Sequence, residues 1–153
     1  MNSKNETDYV LGTHDAEIGR LHLQHGIWRE LVHDCWKRAG IGAGQRIIDI
    51  GCGPGFASVD LADIVGDKGE VIGIERSERF IDYAKGISTA RAVENISFLQ
   101  ADVMLDELNV ADADAIWCRW LSIFVSDPAL LVQKMTAMLK PGGKLIFHEY
   151  VHY

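Results

Sequence analysis

The segment Ile47-Ile48-Asp49-Ile50-Gly51-Cys52-Gly53-Pro54-Gly55 constrains this chain more than any other. Its isoleucines suit a strand covered on both faces, and the glycines that follow make a turn where backbone can approach a ligand that any Cβ would obstruct. A buried strand that runs into a glycine-rich turn and then a helix is how α/β proteins hold nucleotide-like ligands, at the carboxyl end of the strand.

Around that segment the hydrophobic pattern alternates. Leu21, His25, Trp28, Leu31, Val32, Cys35 and Trp36 recur at helical spacing and predict an amphipathic helix from about Asp15 to Ala39, weakened by Gly19 and Gly26. The Gly40 to Gly44 stretch stops it before a first strand near Arg46 to Ile50. A helix over Phe56 to Val65 and a second strand over Glu70 to Ile74 follow. Ser77 then caps a helix reaching about Val93, with Phe80, Ile81, Ala84 and Ile87 as its buried face.

The third strand is Ile96 to Gln100 and the fourth a short one, Ala115 to Cys118. Asp127 and Pro128 cap a helix that ends near Leu139, where Pro141-Gly142-Gly143 stops it, and Lys144 to Val151 is the fifth strand. This alternation implies right-handed crossovers and an α/β fold: a Rossmann-like, doubly wound parallel sheet of order 3-2-1-4-5 behind an N-terminal helix. One domain spans 1–153, with residues 1–43 as the helical segment and 44–153 as the core.

Charge narrows the partners. Lys plus Arg number 15 against 22 Asp plus Glu, and a net charge of -7 disfavours a phosphate backbone, which needs a concentrated basic surface. No apolar run approaches the roughly 20 residues that span a bilayer, and Met1 to Asp8 has no signal-peptide core. We therefore expect no nucleic acid, no membrane and a cytoplasmic location. Cys35, Cys52 and Cys118 are odd in number and lack metal-type spacing, which fits free thiols in a reducing compartment. His22 and His25 have i, i+3 spacing but no third ligand nearby, so they read as helix-face residues and no metal is expected.

Chemistry-bearing residues fall just beyond successive strands: the Gly51 to Gly55 turn, Glu75, Asp102 and Cys118-Arg119. In a parallel sheet these positions share one rim and can surround one ligand. Glu75 sits where a carboxylate accepts hydrogen bonds from both hydroxyls of a ribose. Asp102 can accept from an adenine amino group while Val103 meets the ring. A dinucleotide fits less well, because Gly51-x-Gly53-x-x-Phe56 puts Phe where the G-x-G-x-x-G/A fingerprint wants a small residue.

Asp49-Ile50-Gly51-Cys52-Gly53-Pro54-Gly55, Val71-Ile72-Gly73-Ile74-Glu75, Gln100-Ala101-Asp102-Val103 and Leu139-Lys140-Pro141-Gly142-Gly143-Lys144-Leu145 resemble the ordered motifs of class I S-adenosylmethionine-dependent methyltransferases. Tyr9-Val10-Leu11-Gly12 and the Trp28-bearing helix are similar to the N-terminal helix of small-molecule, quinone-biosynthesis-type members. The resemblance implies S-adenosyl-L-methionine as cofactor. Asp49 and the Gly51, Gly53 and Gly55 backbone, with Cys52, would surround its methionine and ribose portions, Glu75 the ribose hydroxyls and Asp102 the adenine. Arg76 and Val103 would pack along the ring, Cys118-Arg119 would border the sulfonium end, and Gln24 and Trp28 could cover the cofactor, with core packing the commoner role for Trp28.

Methyl transfer to a small organic acceptor is the activity implied. The alternative is a cofactor-binding module, subunit or fragment without independent activity. Should a base be needed, His148 and Glu149 are the first positions to inspect, with strand alternation allowing at most one to face the site. The family's sheet normally continues with antiparallel strands 6 and 7, whereas this sequence stops at Tyr153. An apolar fifth strand left as an edge needs a cover, so either a missing segment or a second copy is expected there, and a homo-oligomer through that edge follows. Glu75→Ala is expected to weaken cofactor binding with little loss of fold.

Overall fold

The computed structural model describes residues 15–150, so the Tyr9 to Gly12 resemblance and Val151 of the expected fifth strand lie outside the described residues. Helix α1 (Asp15–Ala39) leads into β1 (Arg46–Ile50), α2 (Phe56–Val65), β2 (Glu70–Glu75), α3 (Glu78–Ala90), β3 (Ile96–Gln100), β4 (Ala113–Arg119), α4 (Pro128–Ala137) and β5 (Leu139–His148). A 3-10 turn, Ser122–Phe124, sits between β4 and α4.

The strands form one parallel sheet in the order β3-β2-β1-β4-β5, as the alternating pattern predicts. Register explains the apolar run of β1. Ile47 pairs with Val71 and Ala115, and Ile48 with Ile72 and Ile116, so β1 from Ile47 to Ile50 is flanked on both edges and buried.

Period-two alternation divides the core. Ile47, Val71, Ala115 and Trp117 pack with Val32 and Trp36 of α1 and Leu61 and Val65 of α2. Ile48, Ile50, Ile72, Ile74, Ile116 and Cys118 pack with Leu131 and Met135 of α4 on the opposite face. Local signals hold the helix starts: the Ser77 hydroxyl accepts from Phe80 N at 3.3 Å, and Asp127 Oδ1 accepts from Leu130 N at 2.9 Å.

Four sequence expectations need correction. Leu31 is 57% exposed: the buried stripe of α1 runs Ile18, His25, Val32 and Trp36, and Leu31 falls on its flank at 100° per residue. Helix α3 ends at Ala90, three residues before Val93, where the backbone N–H of Arg91 closes the last turn on Ile87. Strand β4 is longer than Ala115 to Cys118. It begins at Ala113 because Asp114, which reads as a loop residue, accepts from Arg46 N at 2.7 Å and pairs with Lys140.

The fourth correction concerns Pro141-Gly142-Gly143. Helix α4 has already ended at Ala137, and β5 starts at Leu139 opposite Ala113. The register then slips so that Lys144 faces Ala115, and the Pro-Gly-Gly segment absorbs the excess residues as a bulge inside the strand. Strand β5 forms one margin of the sheet. No helix among the described residues is long and apolar enough to cross a membrane.

Candidate functional site

The carboxyl ends of β1, β2, β3 and β4 bring Gly51, Glu75, Asp102 and Arg119 to one rim, and two cavities open there. The first, about 350 Å³, is lined by Glu75, Arg76, Asp102 and Val103 together with Met104 and Leu105. The second, about 370 Å³, is lined by Asp49, Cys52 and Gly53 together with Arg20, Gln24, Phe56 and Tyr150. Gly51, Arg119, Trp120 and Phe124 border both, so the two cavities meet over the end of β1 and β4.

Of the eleven residues that the sequence places in the glycine turn and at the strand ends, nine therefore line this cleft, and Cys118 and Gly55 do not. Cys118 is fully buried on the α4 face because strand alternation sends it opposite to Trp117 and Arg119. Gly55 lines neither cavity. It caps α2 in a left-handed conformation at φ 83°, and a Cβ there would lie 2.7 Å from the Ala84 Cβ, so this glycine serves the packing of α2 against α3.

Glu75 is 6% exposed and its carboxylate is already engaged: Oε2 accepts from Gly53 N at 3.1 Å and Oε1 from Ser77 N at 2.9 Å. Burial raises its pKa, while the amide bonds and Arg76 pull the other way. The Arg76 backbone N–H favours the anion as well, and of the roughly four acceptor sites of a carboxylate at least one remains for a further donor. Asp102 Oδ1 accepts from Met104 N at 2.8 Å, and its Oδ2 lies 4.0 Å from Arg76 Nη1.

Asp49 lies deeper, 2% exposed, and accepts the Ser58 hydroxyl at 2.6 Å. Burial pushes its pKa from the ordinary 3.8 to about 7, while Ser58 and Arg119 favour the anion and Glu75 opposes it. Burial also raises the Cys52 thiol well above its usual range and lowers the Arg119 guanidinium, which Asp49 and Asp60 support. The second cavity thus carries a carboxyl and a guanidinium of opposite charge tendency.

Gln24 lines the second cavity and Trp28 does not; its ring packs edge-on against His148 at 5.2 Å and Trp120 at 6.2 Å. His148 sits among Trp28, Trp117 and Trp120, where burial and then Arg119 lower its pKa. Glu149 Oε1 accepts from Leu121 N and Ser122 N, both at 3.0 Å. Neither candidate base lines the cleft. His25 lies buried on the inner face of α1, its Nε2 3.1 Å from Asp60 Oδ2, whereas His22 stacks on Phe56 at 4.8 Å. Among the described residues no group of three His, Cys, Asp or Glu is placed to hold a metal ion.

Sequence reasoning missed Trp120, Phe124, Tyr150 and Phe56. The first and third lie just beyond the ends of β4 and β5, where the same rim rule would have found them. Trp120 has φ 52°, a left-handed conformation that costs a bulky residue energy, and its ring stacks on Tyr150 at 5.5 Å.

Residues 41–153 match a family described as a methyltransferase domain. The chain is 32% identical over 129 residues to the demethylmenaquinone methyltransferase of Lactococcus lactis subsp. lactis (strain IL1403), covering 84% of this chain and 50% of that protein. It spans about half the length of the relatives it matches. A SAM-dependent O-methyltransferase from Thermotoga maritima is similar in structure, at 28% identity and TM-score 0.63 over 75% of this chain and 43% of that one. A SAM-dependent methyltransferase from Aquifex aeolicus shares the fold at 24% identity and TM-score 0.69, over 75% of this chain and 61% of that one.

Proposed function

The chain belongs to the class I S-adenosylmethionine-dependent methyltransferase family, and from that premise we propose that it binds S-adenosyl-L-methionine across both cavities and directs its methyl group to a small, flat organic acceptor. The observation that carries this reading is the division of the cleft. One cavity presents Glu75 and Asp102, acceptors suited to ribose hydroxyls and an adenine amino group, and the other presents Asp49 and Arg119, which suit the two charges of an amino acid.

The residues fit the cofactor. In the first cavity Val103 and Arg76 would flank the base; in the second, Asp49, Cys52 and Gly53 would surround the methionine portion, with Gly51 and Arg119, which line both cavities, at the junction. When bound, the cofactor supplies a methyl carbon activated by positively charged sulfur. The chain's own share is to align the two reactants and exclude water, which the apolar wall of Phe56, Trp120, Ile123 and Phe124 favours. A wall of that kind also suits a flat apolar acceptor, in keeping with the name of the Lactococcus relative.

The same reading includes a cytoplasmic location, supported by three free cysteines, and no nucleic-acid partner, supported by the net charge of -7. It also includes a homo-oligomer formed through the open margin of β5, supported by its position at the sheet edge; a stable monomer in sedimentation at micromolar concentration would remove that part. A second reading, a cofactor-binding module without turnover of its own, is favoured by His148 and Glu149 lining neither cavity. Calorimetry with S-adenosylmethionine and S-adenosylhomocysteine, then a methyl-release assay over small acceptors, separates the two. Turnover supports the enzyme, binding without turnover supports the module, and binding of neither ligand rejects both.

A further inference from the structure

Behind the second cavity a chain of polar contacts joins the interface of α1 and α2 to the cavity wall. Asp60 of α2 is buried and receives three side chains of α1: His25 Nε2 at 3.1 Å, His33 Nε2 at 2.8 Å and Arg29 Nε at 2.8 Å. The opposite ring nitrogen of His25, Nδ1, lies 3.4 Å from Arg119 Nη2. A guanidinium only donates, so Nδ1 is the acceptor and Nε2 carries the proton that is donated to Asp60. Partners on both sides thus assign one neutral tautomer to this histidine.

Arg119 is held on a second side as well, its guanidinium carbon 4.8 Å from the centre of the Trp120 ring. Its other terminal nitrogen, Nη1, is buried without a hydrogen-bond partner among the described residues. An orphaned donor on a cation is costly unless a ligand supplies the acceptor. The cavity wall it belongs to also contains Asp49, so a ligand with an anionic and a cationic group would match both. Arg20, the other guanidinium in that wall, is committed to Glu17 through bonds of 2.6 and 2.8 Å.

We propose that His25, oriented by Asp60, is a positioning residue that aims Arg119 at the carboxylate of an amino-acid moiety bound in the second cavity. This rests on the cofactor reading above, since the methionine portion is such a moiety. A long side chain that must otherwise be ordered on binding loses affinity, and a fixed partner removes that cost in advance.

The test compares two ligands by calorimetry: S-adenosylhomocysteine, and 5′-methylthioadenosine, which keeps the adenosine and sulfur but lacks the amino acid. His25→Phe retains a ring against Phe56 and loses both nitrogens. It should bind S-adenosylhomocysteine about tenfold more weakly and 5′-methylthioadenosine within about twofold of the unsubstituted protein. In an Arg119→Gln background the same substitution should cost nothing further, because the histidine acts through the arginine. Should His25→Phe fail to fold, His25→Asn, too short to reach from Asp60 to Arg119, takes its place. Equal losses for both ligands, no loss for either, or a full loss that persists without Arg119 would overturn the proposal and leave the cofactor reading intact. If the unsubstituted protein binds neither ligand, that reading fails first and the proposal falls with it.

Discussion

Glu75 and Gly53 are joined across the rim of the sheet: Glu75 Oε2 accepts the backbone N–H of Gly53 at 3.1 Å, which ties the end of β2 to the glycine turn that follows β1. With Oε1 on Ser77 N, the same carboxylate also steadies the start of α3. A residue that accepts backbone amide bonds and also lines the first cavity serves the scaffold and is placed for a ligand as well.

Glu75→Ala should therefore cost both. Two amide donors would lose their acceptor, and we expect a stability loss of about 1–3 kcal/mol in urea denaturation along with weaker cofactor binding. This departs from the expectation, drawn from the sequence alone, that the fold would be little affected. Glu75→Gln keeps a carbonyl oxygen for one of the two amides and should recover part of the stability. An alanine variant as stable as the parent would show that the two amide bonds contribute nothing.

Gly53 and Gly55 separate two uses of glycine in one turn. Both have positive φ, 54° and 83°, but a Cβ on Gly53 meets nothing within 4 Å, whereas one on Gly55 collides with Ala84. Gly53→Ala should cost only the backbone conformation, about 1 kcal/mol, and act mainly on binding. Gly55→Ala adds overpacking of about 1–3 kcal/mol and should lower the midpoint of thermal unfolding further. Equal midpoints for the two variants would contradict the packing role assigned to Gly55.

Much of this site was legible because parallel-sheet topology turns positions just past strand ends into neighbours. Glu75, Asp102 and Arg119 could be placed on one rim from the pattern of apolar runs alone. Cys118 was misjudged for a related reason: adjacent positions at a strand end face opposite sides, and only Arg119 faces the cleft. The Asp60 cluster was not legible at all. His25, Arg29 and His33 share a helix face, but nothing in their spacing says that the carboxylate they surround lies on the next helix. Strand β5 was legible in its centre, while its start was hidden by Pro141-Gly142-Gly143, a motif that stops helices more often than it bulges strands.

Asp60 fastens α1 to α2, and its removal should be felt in stability before it is felt in binding. Asp60→Ala leaves three donors of α1 without their acceptor, and a loss of about 3 kcal/mol is expected. Burial alone would raise the Asp60 pKa, but hydrogen bonds from His25, Arg29 and His33 outweigh it and hold the carboxyl well below its ordinary 3.8. A depressed carboxyl contributes stability that is present above the unfolded value and lost as pH falls toward the folded one. The stability gap between the parent and Asp60→Asn should thus be full above about pH 5 and narrow below it. A gap that does not change with acid would mean the carboxylate charge is not what holds the helices.

Asp49 has the opposite sign. Its pKa in the fold, about 7, lies above the ordinary 3.8, so between those values the folded chain holds a proton that the unfolded chain has released. Stability must then fall as pH rises across this window, by up to about 1.4 kcal/mol for each pH unit, and the penalty is complete once Asp49 ionises in the fold. Glu75, also raised, tilts the curve in the same direction, so Asp49→Asn is needed to isolate the effect; that variant should show a flatter profile from pH 4 to 7. Binding should run the other way. A ligand ammonium near Asp49 favours the carboxylate, so affinity for S-adenosylhomocysteine should increase as pH rises through about 7, while 5′-methylthioadenosine, without that ammonium, should show less dependence. If both ligands track pH alike, or if Asp49→Asn leaves the slope unchanged, then the ammonium of the bound amino acid does not lie beside Asp49.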